Sequence, residues 1–308
     1  MAVRRLALAL PFLALLLARP ASALDPAAGT AASPDARSYT GRGFAPVGDT
    51  WLFYEVKGAG EPLVLIHGGQ LDSRMWDDQF DAYAREFRVL RYDVRGFGGS
   101  PVTKQPYSNA DDLAALMDYL GMPKAHIVGL SLGGMVATDF AVTHPERVLS
   151  LVLSGPGVTG LDLESPEENA RFLREVKAAR DDPPDRAVRP WLEDPLIAPA
   201  MENPRIATKI ERLARENLHA WLNNWLLQRI PRPLPAERLG EIRVPTLLVV
   251  GDRDLPSSLA VVDTLARRVA GARKVVIAGA GHLVNMEKPA EFDRAVLEFL
   301  RGAAKRRP

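Results

Sequence analysis

Cysteine is absent from this chain of 308 residues, which excludes disulfide bonds, thiolate metal sites and a cysteine nucleophile. An excess of charge is absent as well, because 39 lysine and arginine residues balance 38 aspartate and glutamate residues. This balance gives no overall attraction to nucleic acid or to an anionic membrane. The sequence also has no internal repeats, no G-x-G-x-x-G motif after a predicted strand, and no metal-binding spacing of Asp, Glu and His. We therefore expect a protein that needs neither a metal nor an organic cofactor.

The N-terminal segment is typical of an export signal. Two arginines precede the apolar run Leu6–Ala18, and the small residues Ala21–Ala23 form a cleavage pattern. We predict that residues 1–23 are removed as a signal peptide and that the protein is exported, to a periplasm or to the medium. An uncleaved anchor is the alternative, but the run is short for a bilayer core of about 30 Å. Residues 24–41 are rich in Ala, Pro, Ser and Gly and are predicted to form a flexible leader.

The rest of the chain alternates strands with helices. Short apolar runs without polar alternation predict strands buried on both faces of a parallel sheet: Pro62–Ile66, Val89–Asp93, His126–Leu130, Val148–Leu153, Thr246–Val250 and Lys274–Ala278. Helical patterns lie between them: Met75–Glu86, Asn109–Leu120, Leu132–Thr143, Leu259–Ala270 and Pro289–Leu300. An antiparallel hairpin is predicted over Gly43–Val56. The pattern predicts an α/β sandwich with a mostly parallel sheet.

Residues 156–239 break this alternation. They contain no convincing strand, and helical spacing occurs over Asn169–Ala179 and Ile206–Gln228 between proline-rich breaks. We predict a helical lid over 156–239, inserted into a core formed by residues 42–155 and 240–308. Aromatic side chains of the lid are candidates for the wall of a substrate pocket, although packing of the lid on the core explains them equally well: Trp191, Trp221, Trp225 and Phe172.

Ser131 is the candidate nucleophile. It is the central residue of a G-x-S-x-G pattern, between the predicted strand His126–Leu130 and the predicted helix Leu132–Thr143. A strand-to-helix turn this tight strains the serine backbone and raises its hydroxyl above the edge of the sheet. The glycines at 129 and 133 prevent side-chain collisions in such a turn.

A serine hydroxyl needs a base, and the base needs an orienting acid. His282 is the best base of the five histidines, because it follows the last predicted strand, at the sheet edge where α/β proteins bind ligands. Asp254 and Asp252 compete for the acid, and both follow the predicted strand Thr246–Val250. We favour Asp254, which lies farther into the loop. The chain order Ser131, Asp254, His282 is that of an α/β-hydrolase triad.

The chain resembles the α/β-hydrolase superfamily from about residue 43 to residue 300. The matching segments are LVLIHGG, RYDVRGFGGS, HIVGLSLGG, HPERV, VPTLLVVGDRD and GAGHLVNMEKPAEF. Within the superfamily it looks most like the small lactonase, esterase and carbon–carbon hydrolase branch, such as enol-lactone hydrolases. It does not look like haloalkane dehalogenases or epoxide hydrolases, which carry an aspartate where Ser131 stands.

The resemblance implies an oxyanion hole and an activity. The backbone amides of Leu132 and Gly69 are the expected donors, with Gln70 as the alternative to Gly69. We expect hydrolysis of a small ester or lactone through an acyl-enzyme on Ser131. The expected binding partner is therefore this small-molecule substrate. Carbon–carbon bond hydrolysis, perhydrolysis without a cofactor, and slow-turnover ligand binding are the alternatives. The oligomeric state is not predicted.

Overall fold

The computed structural model describes residues 40–222 and 225–305. Within these residues eight strands form one sheet with the order β1-β2-β4-β3-β5-β6-β7-β8. The strands are β1 (Gly41–Val47), β2 (Thr50–Lys57), β3 (Pro62–Ile66), β4 (Arg88–Tyr92), β5 (Ala125–Leu130), β6 (Val148–Ser154), β7 (Thr246–Gly251) and β8 (Arg273–Ile277). β1 pairs antiparallel with β2, and β2 pairs antiparallel with β4. Every other neighbouring pair of strands in this sheet is parallel.

Helices connect the parallel strands. In chain order the α-helices of the described residues are α1 (Asp77–Tyr83), α2 (Asn109–Tyr119), α3 (Leu132–Thr143), α4 (Pro166–Asp181), α5 (Pro184–Ala187), α6 (Arg189–Leu192), α7 (Ala198–Met201), α8 (Pro204–Glu216), α9 (Pro235–Arg238), α10 (Pro256–Arg268), α11 (Val284–Glu287) and α12 (Pro289–Lys305). Short 3₁₀ helices cover Ser73–Trp76, Pro145–Arg147, Leu218–Leu222, Trp225–Leu227 and Leu239–Glu241. No helix in the described parts of the chain is both long and apolar enough to cross a membrane.

The sheet is covered by apolar side chains on both faces. Along β3, Leu63 and Leu65 belong to one buried cluster, together with Phe292 of α12. Val64 belongs to the cluster on the other face, together with Phe140 of α3. Successive side chains of a strand point to opposite faces, so a continuous apolar run such as PLVLI supplies both clusters. The predicted α/β sandwich with a mostly parallel sheet is therefore confirmed.

Two predictions about the ends of the chain have different outcomes. Residues 1–23, the predicted export signal, lie outside the described residues, as do residues 24–39 of the predicted leader. Gly41, which was placed in the leader, is the first residue of β1. The prediction that the last strand is buried on both faces is wrong, because β8 pairs only with β7 at the edge of the described sheet, and Val276 is half exposed.

The segment between β6 and β7 is helical, as expected, and runs from α4 to α9. The helical spacing over Ile206–Gln228 corresponds to more than one helix, because α8 ends at Glu216 and short 3₁₀ helices follow it. The next residue, Asn217, is fully buried and ties the segment to the core. Its amide nitrogen donates to Asp72 at 2.7 Å, and its amide oxygen accepts from the backbone of Gly98 at 2.7 Å. These long-range bonds favour the end of the helix over another turn.

Candidate active site

Ser131 occupies the sharp turn between β5 and α3. Its backbone has φ 54° and ψ −112°, a positive φ that side-chain-bearing residues seldom adopt and that costs about 1–3 kcal/mol. The glycines on either side are required by close contacts. A Cβ on Gly129 would lie 2.2 Å from the Gly133 carbonyl oxygen, and a Cβ on Gly133 would lie 2.1 Å from the Ile66 carbonyl oxygen. The G-x-S-x-G pattern thus follows from the packing of this turn.

His282 and Asp254 form a buried pair at the carboxyl ends of β8 and β7. His282 Nδ1 lies 2.9 Å from Asp254 Oδ2 and 3.1 Å from Oδ1, and both side chains are almost fully buried. Burial disfavours the imidazolium, but the Asp254 carboxylate and its hydrogen bond outweigh burial, so the pKa of His282 is raised above 6.5. A carboxylate in this position holds one tautomer of the imidazole, with the proton on Nδ1.

The structure separates the two aspartates that competed in the sequence. Asp252 is exposed, and its Oδ1 accepts a hydrogen bond from the backbone of Gly279 at 2.7 Å. Arg253, between the two aspartates, is paired with Glu202. Asp254 is the aspartate that contacts His282, so the geometry gives it the orienting position.

Ser131 and His282 line one cavity of about 220 Å³ between the sheet edge and the helical segment. His282 Nε2 has no hydrogen-bond partner among the described residues, although the ring is only 5% exposed. An unprotonated nitrogen in this position is available to take a proton from a group inside the cavity. The arrangement can support nucleophilic attack by a hydroxyl with an imidazole as general base.

The expected oxyanion donors lie near Ser131. Leu132 is the first residue of α3, where backbone N–H groups have no acceptor within the helix. In the other loop, the Gly68 N–H donates to Met75 Sδ at 3.1 Å. Gln70 has a positive φ of 58° and lines the cavity, whereas Gly69 is not among the residues at the cavity wall. The Leu132 and Gly69 amides therefore stay a prediction, with Gln70 as the alternative donor.

The three tryptophans proposed for the pocket have different surroundings. Trp191 lines the cavity, and so does Phe172. Trp221 is buried and is not at the cavity wall, but its ring contacts Phe172, with the two ring centroids 6.1 Å apart. The side chain of Trp225 is not in the described part of the structure. Of the two tryptophans whose side chains the structure describes, Trp191 is the one at the cavity wall, where a substrate could contact it.

An acidic wall of the cavity was not predicted from the sequence. Glu168, Arg171 and Glu175 of α4 line the cavity together with Glu164 and Asp194. The spacing of 168, 171 and 175 places these residues on one face of a helix. That periodicity is visible in the sequence, but it does not indicate which face of the helix lies at the cavity.

Glu287 is a second functional candidate that the sequence reasoning missed. Its carboxylate accepts hydrogen bonds from the backbone of Gly281 at 2.7 Å and of Leu283 at 3.0 Å. These are the residues on either side of His282, so Glu287 fixes the loop that carries the imidazole. No group of three His, Asp or Glu side chains within residues 40–222 and 225–305 is placed to hold a metal ion.

The comparisons with known proteins agree with this geometry. The sequence profile of the alpha/beta hydrolase fold matches residues 61–289, which is most of the chain. This chain belongs to the α/β-hydrolase family. As an α/β-hydrolase it is similar to 2-hydroxy-6-oxo-6-phenylhexa-2,4-dienoate hydrolase from Comamonas testosteroni, with 30% identity over 270 residues, covering 82% of this chain and 92% of that protein. A 2-hydroxy-6-oxononadienedioate/2-hydroxy-6-oxononatrienedioate hydrolase from Burkholderia vietnamiensis is 33% identical over 268 residues, covering 81% and 91%.

Solved structures of α/β-hydrolases resemble the whole described fold. The enol-lactonase from Burkholderia xenovorans superimposes with a TM-score of 0.72 at 29% identity, covering 84% of this chain and all of that chain. A thermophilic esterase from Thermogutta terrifontis gives a TM-score of 0.71 at 31% identity, covering 85% and 99%. The resemblance to the small esterase and enol-lactonase branch is thereby confirmed, and the protein is a hydrolase of this fold.

Proposed function

We propose that this protein is a serine hydrolase that cleaves a small carboxylic ester or lactone through an acyl-enzyme on Ser131. The observation that carries the proposal is the free Nε2 of the buried His282–Asp254 pair, which lines the same cavity as Ser131. A cavity of about 220 Å³ is below the common range of about 300–1,000 Å³ for ligand pockets, which favours small substrates.

The proposed reaction has two stages. Ser131 Oγ attacks the substrate carbonyl carbon while its proton passes to His282 Nε2, and Asp254 stabilises the resulting imidazolium. The tetrahedral oxyanion accepts hydrogen bonds from the Leu132 amide and from the amide of Gly69 or Gln70. The carbon–oxygen bond then breaks, and the departing alkoxide takes the proton from His282. In the second stage His282 takes a proton from water, whose oxygen attacks the acyl carbon. The bond between that carbon and Ser131 Oγ then breaks, Oγ takes the proton back from His282, and the acid is released.

Charge in the cavity disfavours a substrate that carries a carboxylate. Of the described residues that line the cavity, Arg171 is the one lysine or arginine, and it already donates to Asp194 at 2.8 Å. The relatives from Comamonas and Burkholderia act, by their names, on a dienoate and on dienedioates, which are anionic. An anionic substrate would have to compete with Asp194 for this guanidinium.

Carbon–carbon bond hydrolysis is the second candidate, and the identity of 30–33% to those two relatives favours it. A panel containing 4-nitrophenyl acetate, a simple lactone and 2-hydroxy-6-oxo-6-phenylhexa-2,4-dienoate separates the candidates. We expect hydrolysis of the ester or the lactone, lost in Ser131→Ala protein that melts at the wild-type temperature. Turnover of the dienoate without turnover of esters and lactones would replace our proposal with the second candidate.

We also propose that residues 1–23 direct export and are removed. The support is the sequence pattern of two arginines, an apolar run and small residues at the cleavage site. Expression of the full chain with mass analysis of the product tests this. A mature protein that begins at Leu24 outside the cytoplasm is expected, and an intact chain retained in the cytoplasm would contradict the proposal.

A further inference from the structure

Glu175 is a buried acid in the wall of the active-site cavity. It lies on α4, is only 6% exposed, and lines the cavity that also contains Ser131 and His282. No donor among the described residues makes a hydrogen bond to its carboxylate. The side chain within hydrogen-bonding reach is another acid, Asp194.

The neighbouring cation does not compensate Glu175. The Arg171 guanidinium donates to Asp194 Oδ2, and the other oxygen of Asp194 accepts from the backbone of Leu196 at 2.8 Å. Burial and the nearby Asp194 raise the pKa of Glu175 to about 8, because both disfavour its charged form. Arg171 and Arg174 oppose this shift in part, but neither donates a hydrogen bond to the Glu175 carboxylate. A buried acid without a hydrogen-bonded cation is unusual, since buried charges are normally paired. A positively charged ligand in the cavity would supply the missing partner.

The rest of this wall also suits a cation. Phe172, which is about half exposed, and the buried Trp191 line the same cavity. Aromatic faces attract ammonium groups, and the attraction is stronger at a buried ring such as Trp191, where water is excluded. Glu164 and Glu168 add negative charge to the lining, whereas an anionic ligand would find Arg171 already paired. Acids and aromatic rings in the lining of a cavity that Ser131 and His282 also line match a substrate with a reactive carbonyl and a separate cation.

We propose that the substrate is a small ester or lactone that carries an ammonium group, bound by Glu175 and Asp194 beside Phe172 and Trp191. This inference rests on the proposed function, because it assigns the reactive carbonyl of the same molecule to Ser131. Glu175 contacts the cation and thereby selects the substrate, while the bond cleavage is left to Ser131 and His282.

The test compares two esters of nearly the same shape. Acetylcholine carries a quaternary ammonium, and 3,3-dimethylbutyl acetate has a carbon atom in place of that nitrogen. We expect wild-type protein to have a kcat/KM about tenfold or more higher for acetylcholine. The comparison is made at pH 9, above the pKa of about 8 of Glu175, so that the wild-type carboxylate is charged. In Glu175→Gln, which keeps the size of the side chain and cannot carry this charge, the ratio should fall toward one. Glu167→Gln, an exposed acid on the same helix that is not at the cavity wall, should keep the wild-type ratio.

Binding of choline measured by calorimetry separates failure of this inference from failure of the proposed function. Choline binding should be detectable in the wild type, lost in Glu175→Gln and retained in Glu167→Gln, whether or not any ester is hydrolysed. Absence of ester turnover with choline binding intact would count against the proposed function alone. Equal kcat/KM values for the two esters, or a preference for acetylcholine that survives in Glu175→Gln, would overturn the inference.

Discussion

Gly155 lines the cavity and packs directly against the His282–Asp254 pair, so replacing it with alanine is expected to disturb the candidate site. The residue follows β6 and has a φ of 45°, and its N–H donates to the Val249 carbonyl at 2.9 Å. A Cβ on Gly155 would lie 3.1 Å from Asp254 Oδ2, 3.1 Å from His282 Nδ1 and 3.2 Å from His282 Cε1. These contacts are closer than Cβ atoms normally make, so the buried imidazole would have to shift toward the cavity that it lines.

The expected effect has two parts. Alanine at a positive φ costs about 1–2 kcal/mol, which for a protein of this size lowers the melting temperature by about 2–8 °C. Relief of the contacts moves the imidazole by a few tenths of an ångström. Because a misplacement of about 1 Å can cost about 100-fold in rate, we expect kcat to fall about five- to tenfold.

Hydrolysis of 4-nitrophenyl acetate and thermal melting measure the two parts separately. Gly48→Ala is the matched control, because Gly48 has a φ of 57° but a Cβ there would have no atom within 4 Å. The control should lose stability in the same way and keep the wild-type kcat. If Gly155→Ala also keeps the wild-type kcat, the inferred contact between residue 155 and the His282–Asp254 pair has no catalytic consequence and the reasoning is refuted.

Three further predictions follow from the site and the core. Asp254→Asn should reduce kcat about 10⁴-fold by favouring the wrong imidazole tautomer, while Asp252→Asn should change it little; equal losses would contradict our assignment. Because the pKa of His282 is raised, protonation of this base should lower kcat/KM as pH decreases, with a midpoint above 6.5. A midpoint below 6.5 would contradict this prediction. Burial raises the pKa of Asp139 to about 7, so the folded protein binds a proton there more tightly than the unfolded chain does. This proton stabilises the fold at low pH, and its contribution to the free energy of unfolding is lost as pH rises from 3.8 through 7. Asp139→Asn should therefore stabilise the fold by about 2–4 kcal/mol at pH 8 and not at pH 4, as urea unfolding can show.

The strands of the sheet and the order of the triad residues could be read from the sequence because their causes are local. The predicted strand Pro62–Ile66 has the bounds of β3, since a short apolar run is typical of a strand buried on both faces. The placement of Ser131, Asp254 and His282 after β5, β7 and β8 follows from one rule. Parallel strands bring their carboxyl ends to one edge, so residues far apart in the chain meet there.

The features that were missed depend on contacts distant in sequence. The end of α8 at Glu216 depends on Asn217 bonding to Asp72 and Gly98, which helical periodicity does not encode. The exposure of Val276 depends on which strand lies at the edge of the sheet. Likewise, the periodicity of α4 shows that residues 168, 171 and 175 share a face, but only docking of the helix brings that face to the cavity.

Acylation of Ser131 is the central claim of this account, and labelling with a fluorophosphonate tests it most directly. Mass spectrometry of the digested protein identifies the modified residue, and 4-nitrophenyl acetate hydrolysis is followed in the same sample. We predict one adduct, on Ser131, formed in proportion to the loss of hydrolysis and absent from Ser131→Ala. An adduct on another residue, or full inhibition while Ser131 stays unmodified, would contradict the account.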